Sequence, residues 1–159
     1  MIQETTSYLT FKLGNEQFAI NVSKVLEILE VRPITKVPKS PPFMKGVINL
    51  RGNILPVIDT RNKFCMPHED FSVDTCIIVL NISTGTESLL VGAVVDSVQK
   101  VIDIAAESIQ PSLSLGAIYR EDFVRGIGKV DEDFIMILDI DKVFSTDELA
   151  VIEPDKQVA

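Results

Sequence analysis

The sequence predicts an all-β protein built from two similar small barrel units in one chain. Three observations carry that reading. The apolar residues fall in short runs, several alternating with a period of two, between Gly, Pro and Asn punctuation. A motif recurs at an offset of 80 residues. The 159 residues are 46% hydrophobic and 24% charged, a globular composition with enough apolar mass for a core.

Taken in order, Tyr8 to Leu13 alternates, Gly14-Asn15 turns the chain and Phe18 to Ile20 resumes, which predicts a hairpin. Ser23 is placed to cap a short helix whose face carries Val22, Val25, Ile28 and Leu29 at helical spacing. Pro33, Pro38, Pro41 and Pro42 make residues 32–42 a loop. Gly46 to Leu50 and Ile54 to Ile58 flank Arg51-Gly52-Asn53 and predict a second tight hairpin. Residues 66–74 are a polar break. Cys76 to Ile82 and Leu89 to Val95 are two further strands around a turn at Gly85. Asp96 with Gln99 has the pattern of a capping box opening a short turn. Ile109 to Arg120 reads as an irregular connection, Phe134 to Ile140 as the last strong strand, and Asp141 to Val151 as a helix carrying Val143, Phe144 and Leu149. The tail over 152–159 frays.

The repeat pairs Phe43 with Phe123, Lys45 with Arg125, Gly46 with Gly126, and Val47 with Ile127. It continues from Ile54–Ile58 onto Phe134–Leu138 and from Asp59 onto Asp139. Two units follow, one over about 15–75 and one over about 76–140. The N-terminal strand and C-terminal helix are free to cross over. Each unit is marginal alone, so a shared core is expected. Closing each unit into a barrel removes exposed strand edges.

Charge is unevenly spread within a net −8. Residues 1–64 carry nine Lys/Arg against five Asp/Glu, and residues 65–159 six against eighteen. This is either solvated surface or a molecule with a basic end and an acidic end. An acidic chain is a poor nucleic-acid binder. The longest apolar run, Leu89–Val95, is far short of the roughly 20 residues of a membrane span. No signal peptide is visible at Met1 to Glu4, and Cys65 and Cys76 are too few for a disulfide scaffold. A cytoplasmic protein with free thiols is expected.

No catalytic or metal constellation is complete. His68, the one histidine, lies in a charged break, and Cys65 with His68 lacks further ligands for a tetrahedral site. Asp131-Glu132-Asp133 lacks the spacing of a calcium loop and reads as a turn. Asp59 and Asp139 close strands at equivalent repeat positions, which fits end-capping better than acid–base work. No cofactor is expected. Binding remains. Arg51 is either an ordinary turn residue or an ion-pairing group beside an apolar groove. The Val22, Val25, Ile28 and Leu29 face is either core or the border of a groove for a partner helix.

The run Phe43 to Asp59, with Gly46-Val-Ile-Asn-Leu-Arg-Gly52 and then Pro56-Val-Ile-Asp59, resembles the signature of the CheW family of chemotaxis coupling proteins. Phe18 to Ile28, Val94 to Val98 and Gly126 to Gly128 resemble further landmarks of that family. The resemblance implies two five-stranded SH3-like barrels on a shared core, with short helices including one at the C-terminus. It implies a non-catalytic adaptor that binds the regulatory domain of the histidine kinase CheA and the cytoplasmic tip of methyl-accepting chemoreceptors. The protein would then reach the membrane through partners, without inserting. The positions matching the family's receptor groove are Val25, Glu27 and Arg51, with Ile28 nearby. Those matching its kinase contacts are Asn53, Ile54 and Thr75, then Leu115 on the second barrel. Two further readings stay open: a coupling protein of a non-motility chemosensory pathway, and a β-barrel that binds a small molecule.

Overall fold

Residues 5–84, 87–111 and 124–143 are described by the structure, a computed structural model. The first hairpin forms as expected, β1 (Thr5–Leu13) turning at Gly14 into β2 (Glu16–Asn21). The chain then makes a 3-10 turn over Val22–Lys24 and enters β3 (Val25–Glu30). The helix expected at Ser23 is therefore absent, and the turn is capped by Asn21, whose Oδ1 accepts the Ser23 N–H at 2.9 Å. The helical spacing has another origin. A register shift between Val25 and Glu27 inserts a bulge into β3. An extra residue in a strand returns the side chains three positions apart to one face.

The loop over 32–42 makes one isolated bridge, Thr35 to Val47, before β4 (Met44–Leu50) and β5 (Asn53–Asp59). Their two-residue turn has positive φ at both Arg51 and Gly52, the form that matches strand twist. Asn49 Oδ1 accepts the Gly52 N–H at 2.7 Å and holds the turn closed. A single-turn helix α1 (Thr60–Lys63) follows, capped by Asp59. Then come β6 (Cys76–Thr84), β7 (Glu87–Val95) and β8 (Ser97–Ala105). The capping box at Asp96 is not formed. Asp96 sits at a bend between two strands and spends its carboxylate on Gly14 and Arg61 instead. Within the expected irregular connection, Ile109–Pro111 forms a short strand, β9, on β10 (Val124–Val130). The last hairpin runs into β11 (Asp133–Leu138) and helix α2 (Ile140–Val143), so Ile140 opens the helix rather than ending the strand. Gly85, Leu115, Phe123, Phe144, Leu149 and the tail lie outside the described residues.

Two sheets result, in the orders β3-β6-β7-β5-β4 and β8-β1-β2-β11-β10-β9. The first has the five strands expected. The second has six, because β9 pairs along three residues where its counterpart near Thr35 makes one bridge. Sheet membership does not divide at residue 75: β6 and β7 join the first sheet, and the N-terminal hairpin crosses to the second.

Three apolar clusters explain why the strands read as nearly continuous hydrophobic runs. Leu29, Ile48, Leu50, Leu55, Val57, Ile77, Val79 and Val94 fill the first sheet's interior. Leu29 and Ile48 come from its two edge strands, so the sheet curls until they share one core. Tyr8, Ala19, Ile104, Ile135 and Ile137 lie inside the second. A third cluster joins both sheets through Phe11, Phe18, Ile58, Ile78, Leu80, Val91, Val95 and Leu138, among others. Strand β6 is buried on both faces: Ile77 and Val79 go to the barrel, Ile78 and Leu80 to the seam.

The repeat is structural. Strand β10 lies 80 positions after β4 at both ends, and α2 lies 80 after α1. Gly46 and Gly126 each follow the same register shift, and a Cβ at either would meet a backbone oxygen, at 2.3 Å (Thr35) and 2.5 Å (Gln110).

Candidate functional site

Strand β3 positions most of the candidate groove. Directly opposed residues of an antiparallel pair share a face. Val25 lies opposite Leu80 and Ile28 opposite Ile78, both residues of the seam between the barrels. Val25 packs against that seam cluster, and Ile28 stands at its rim, 45% exposed. Glu27 and Leu29 lie opposite Val79 and Ile77 and so face the first barrel, where Leu29 is buried. The bulge thus gives β3 two functions: one face closes the barrel, and the other leaves an apolar edge along the seam.

Arg51 reaches this strand from the tip of the β4–β5 hairpin. Its Nη2 lies 2.6 Å from Glu27 Oε2, with the arginine side chain 70% exposed and the glutamate largely covered. Of the four expected groove residues, Val25, Glu27 and Ile28 share β3, and Arg51 joins the strand through Glu27. Arg51 is an ion-pairing residue, and the pair lies on the face of β3 opposite Ile28. Leu26, 54% exposed in the bulge, belongs to the same strand and was not singled out in the sequence. A helix reading hid it; strand alternation with a bulge would have found it.

The expected kinase-contact residues separate. Asn53 and Ile54 open β5 at the hairpin tip, and Ile54 is 71% exposed, unusual for its size. Thr75 does not join them. It is buried before β6, its Oγ1 accepting the Ser72 N–H at 2.8 Å, and it shares a small polar cleft with Lys45 and Asp59. Asp59 ends β5, and six residues of strand put that end about 20 Å from the tip. A further exposed position was missed. Phe134, 67% exposed, is the repeat equivalent of Ile54 on the β10–β11 hairpin, and the offset of 80 would have pointed to it.

Two ion-pair clusters tie the barrels together. Arg61 of α1 donates from Nε to Asp96 Oδ1 at 3.0 Å, pairs through Nη2 with Oδ2, and donates from Nη1 to Pro67 O at 2.9 Å. Asp96 also accepts the Gly14 N–H at 2.6 Å. The Arg61 hydrogen bonds hold the Asp96 carboxyl below the usual carboxylate range. Asp141 of α2 makes the second cluster, with Lys24 Nζ at 2.9 Å and the Ser83 N–H at 2.9 Å.

Among the described residues, no three His, Cys, Asp or Glu side chains are grouped to hold a metal, and no helix is long and apolar enough to cross a membrane. His68 is exposed beside Asp70 at 3.2 Å. Cys65 is exposed, and burial pushes the Cys76 thiol up. The first barrel's interior is occupied by its own buried side chains.

A family model described as a CheW-like domain matches residues 7–148. The chemotaxis protein CheW of Klebsiella aerogenes is 36% identical over 146 residues, covering 92% of this chain and 86% of that protein. The chemotaxis protein CheW of Thermotoga maritima is 30% identical over 145 residues, covering 91% and 90%. Among solved structures, the scaffolding protein TtCheW from Thermoanaerobacter tengcongensis superposes with a TM-score of 0.80 at 32% identity, over 91% of this chain and 96% of that one.

Proposed function

Since the chain belongs to the CheW-like domain family, we infer that it is an adaptor coupling methyl-accepting chemoreceptors to the histidine kinase CheA in chemotaxis signalling. Its work is done by two surfaces and no reaction. One surface takes the helical tip of the receptor along β3. The other takes the regulatory domain of the kinase at Asn53 and Ile54, at the start of β5. The protein reaches receptor arrays through these partners.

The observation that carries this reading is edge strand β3, which turns Val25 and Ile28 to the inter-barrel seam and holds Arg51 on its other face through Glu27. An apolar edge with charge on the strand's other face suits the apolar stripe and polar flanks of an amphipathic helix. Ile54 supplies another anchor, and a large, exposed apolar side chain beside a tight turn is the kind of residue that becomes buried in an interface. Separate surfaces let one molecule hold both partners at once.

Two variants test it. Arg51→Glu sets two glutamates against each other and is expected to weaken receptor-tip binding at least about tenfold, about 1.4 kcal/mol, with kinase binding kept. Ile54→Glu is expected to do the reverse. Both sites are exposed, so melting temperature should fall by no more than about 3 °C. A fall above about 10 °C for Arg51→Glu would make the residue structural. Equal loss of both partners in either variant would contradict two separate surfaces.

A further inference from the structure

Arg61 and Asp141 occupy the same repeat position, the second residue of α1 and of α2, yet carry opposite charge. Each pairs with a residue at a point where the chain passes between the sheets. For Arg61 that residue is Asp96, between β7 and β8. For Asp141 it is Lys24, in the 3-10 turn between β2 of the second sheet and β3 of the first. The fold thus uses one device twice, once at each crossing, with the ion pair reversed.

The second clasp has a feature the first lacks: it adjoins the groove. Lys24 immediately precedes Val25, the first groove residue. Its ammonium donates to Asp141 Oδ2 at 2.9 Å, to Asp141 Oδ1 at 3.2 Å and to Ser83 Oγ at 3.3 Å. Asp141 Oδ1 accepts the Ser83 N–H at 2.9 Å, so β6 is drawn into the same knot. Helix α2 is itself anchored, with Ile140 and Val143 buried in the seam cluster. Strand β3 is an edge strand, hydrogen-bonded to β6 on one side only. Its start is therefore held against the second barrel by the clasp. The pair is about one-third exposed, and such pairs add little to folding. A small stabilising term that fixes where a binding strand begins acts on fit instead, and a site loose by about an ångström loses affinity.

We propose that Lys24 and Asp141 are positioning residues for the receptor groove: their clasp sets Val25 and Ile28 against the second barrel without touching the bound receptor helix. The proposal rests on the receptor-groove reading above. The bonds of the clasp run among Lys24, Asp141 and Ser83 and include no residue of the β4–β5 hairpin, so kinase binding there should be spared.

The test measures affinity of the full chain for a receptor-tip fragment and, separately, for the kinase regulatory domain, alongside thermal melting. Lys24→Ala and Asp141→Asn should each weaken receptor binding about five- to tenfold and change kinase binding by less than about twofold. The double variant should be no worse than either single one, because both remove one interaction. Lys24→Arg keeps the charge and should bind receptor within about twofold of the parent. Parallel loss of both partners, or additive effects in the double variant, would overturn the proposal by making the residues merely structural. Ile28→Glu separates the two levels. If it weakens receptor binding and Lys24→Ala does not, the positioning role falls and the groove stands. If Ile28→Glu leaves receptor binding intact, the groove reading falls and the proposal with it.

Discussion

Arg51 has a φ of +52° because a two-residue hairpin turn of this form needs left-handed backbone at both central positions, and Gly52 supplies only the second. An L-residue there costs about 1–2 kcal/mol. The result is aim: a rigid turn carries the guanidinium to Glu27. Asp131 takes the same conformation at the second tip. Asp96 shows the opposite case, a residue whose role is structural. Its carboxyl is held below the ordinary value of about 3.9, first by the Arg61 side-chain hydrogen bonds and also by the Gly14 N–H, so the folded state favours the ionised form more than the unfolded state does. That contribution is complete above the ordinary carboxylate range and is lost as pH falls through the lowered folded value. Asp96→Asn should therefore cost about 1–3 kcal/mol in urea unfolding at about pH 6, and the gap from the parent should close as pH falls below about 4. An equal gap at about pH 3 would assign the effect to packing. Arg51 was legible in the sequence because its turn is local. Asp96 was misread as a cap because its partners, Gly14 and Arg61, lie 82 and 35 residues away.

At the scale of elements, hairpins were readable and bulges were not. The turns at Gly14-Asn15 and Arg51-Gly52 carry their own chemistry, and each strand pair follows from its turn. Strand β3 failed because a bulge spaces Val25 and Ile28 like a helix face, and only the pairing with β6 reveals it. The short strand β9 was invisible because three residues carry no periodicity. The bulges on β4 and β10 left a trace in their glycines. A Cβ at Gly46 would lie 2.3 Å from the Thr35 carbonyl oxygen, with φ at +152°, whereas at Gly52 it would meet nothing. Gly46→Ala should cost about 2–4 kcal/mol and lower the melting temperature by about 5–15 °C. Gly52→Ala should cost only the left-handed backbone term, about 1–2 kcal/mol. Equal losses at both sites would mean that the loop segment at Thr35 yields freely and the close approach is not a constraint.

The whole molecule is two curled sheets sharing a third core, and that core keeps the two candidate surfaces at fixed positions. The repeat announced the architecture, but not that β6 and β7 belong with the first sheet: in a closed unit the pairing partner is chosen by burial on both faces, not by position in the chain. Charge follows the chain's halves, with Arg51 on one tip and Asp131, Glu132 and Asp133 on the other. If that asymmetry steers the kinase domain, association should slow markedly between about 50 and about 500 mM salt, as the Debye length shortens from about 14 to about 4 Å, while dissociation changes little. A salt-independent association rate in stopped-flow mixing would make the split solvated surface. One molecule is proposed to hold receptor and kinase together through separate surfaces. Co-sedimentation of purified kinase with receptor-bearing membranes, with and without this protein, tests it most directly. The kinase should sediment when the protein is present, far less when it is omitted, and far less with either Arg51→Glu or Ile54→Glu. Sedimentation that is indifferent to the protein, or binding of the two partners that is mutually exclusive, would contradict it.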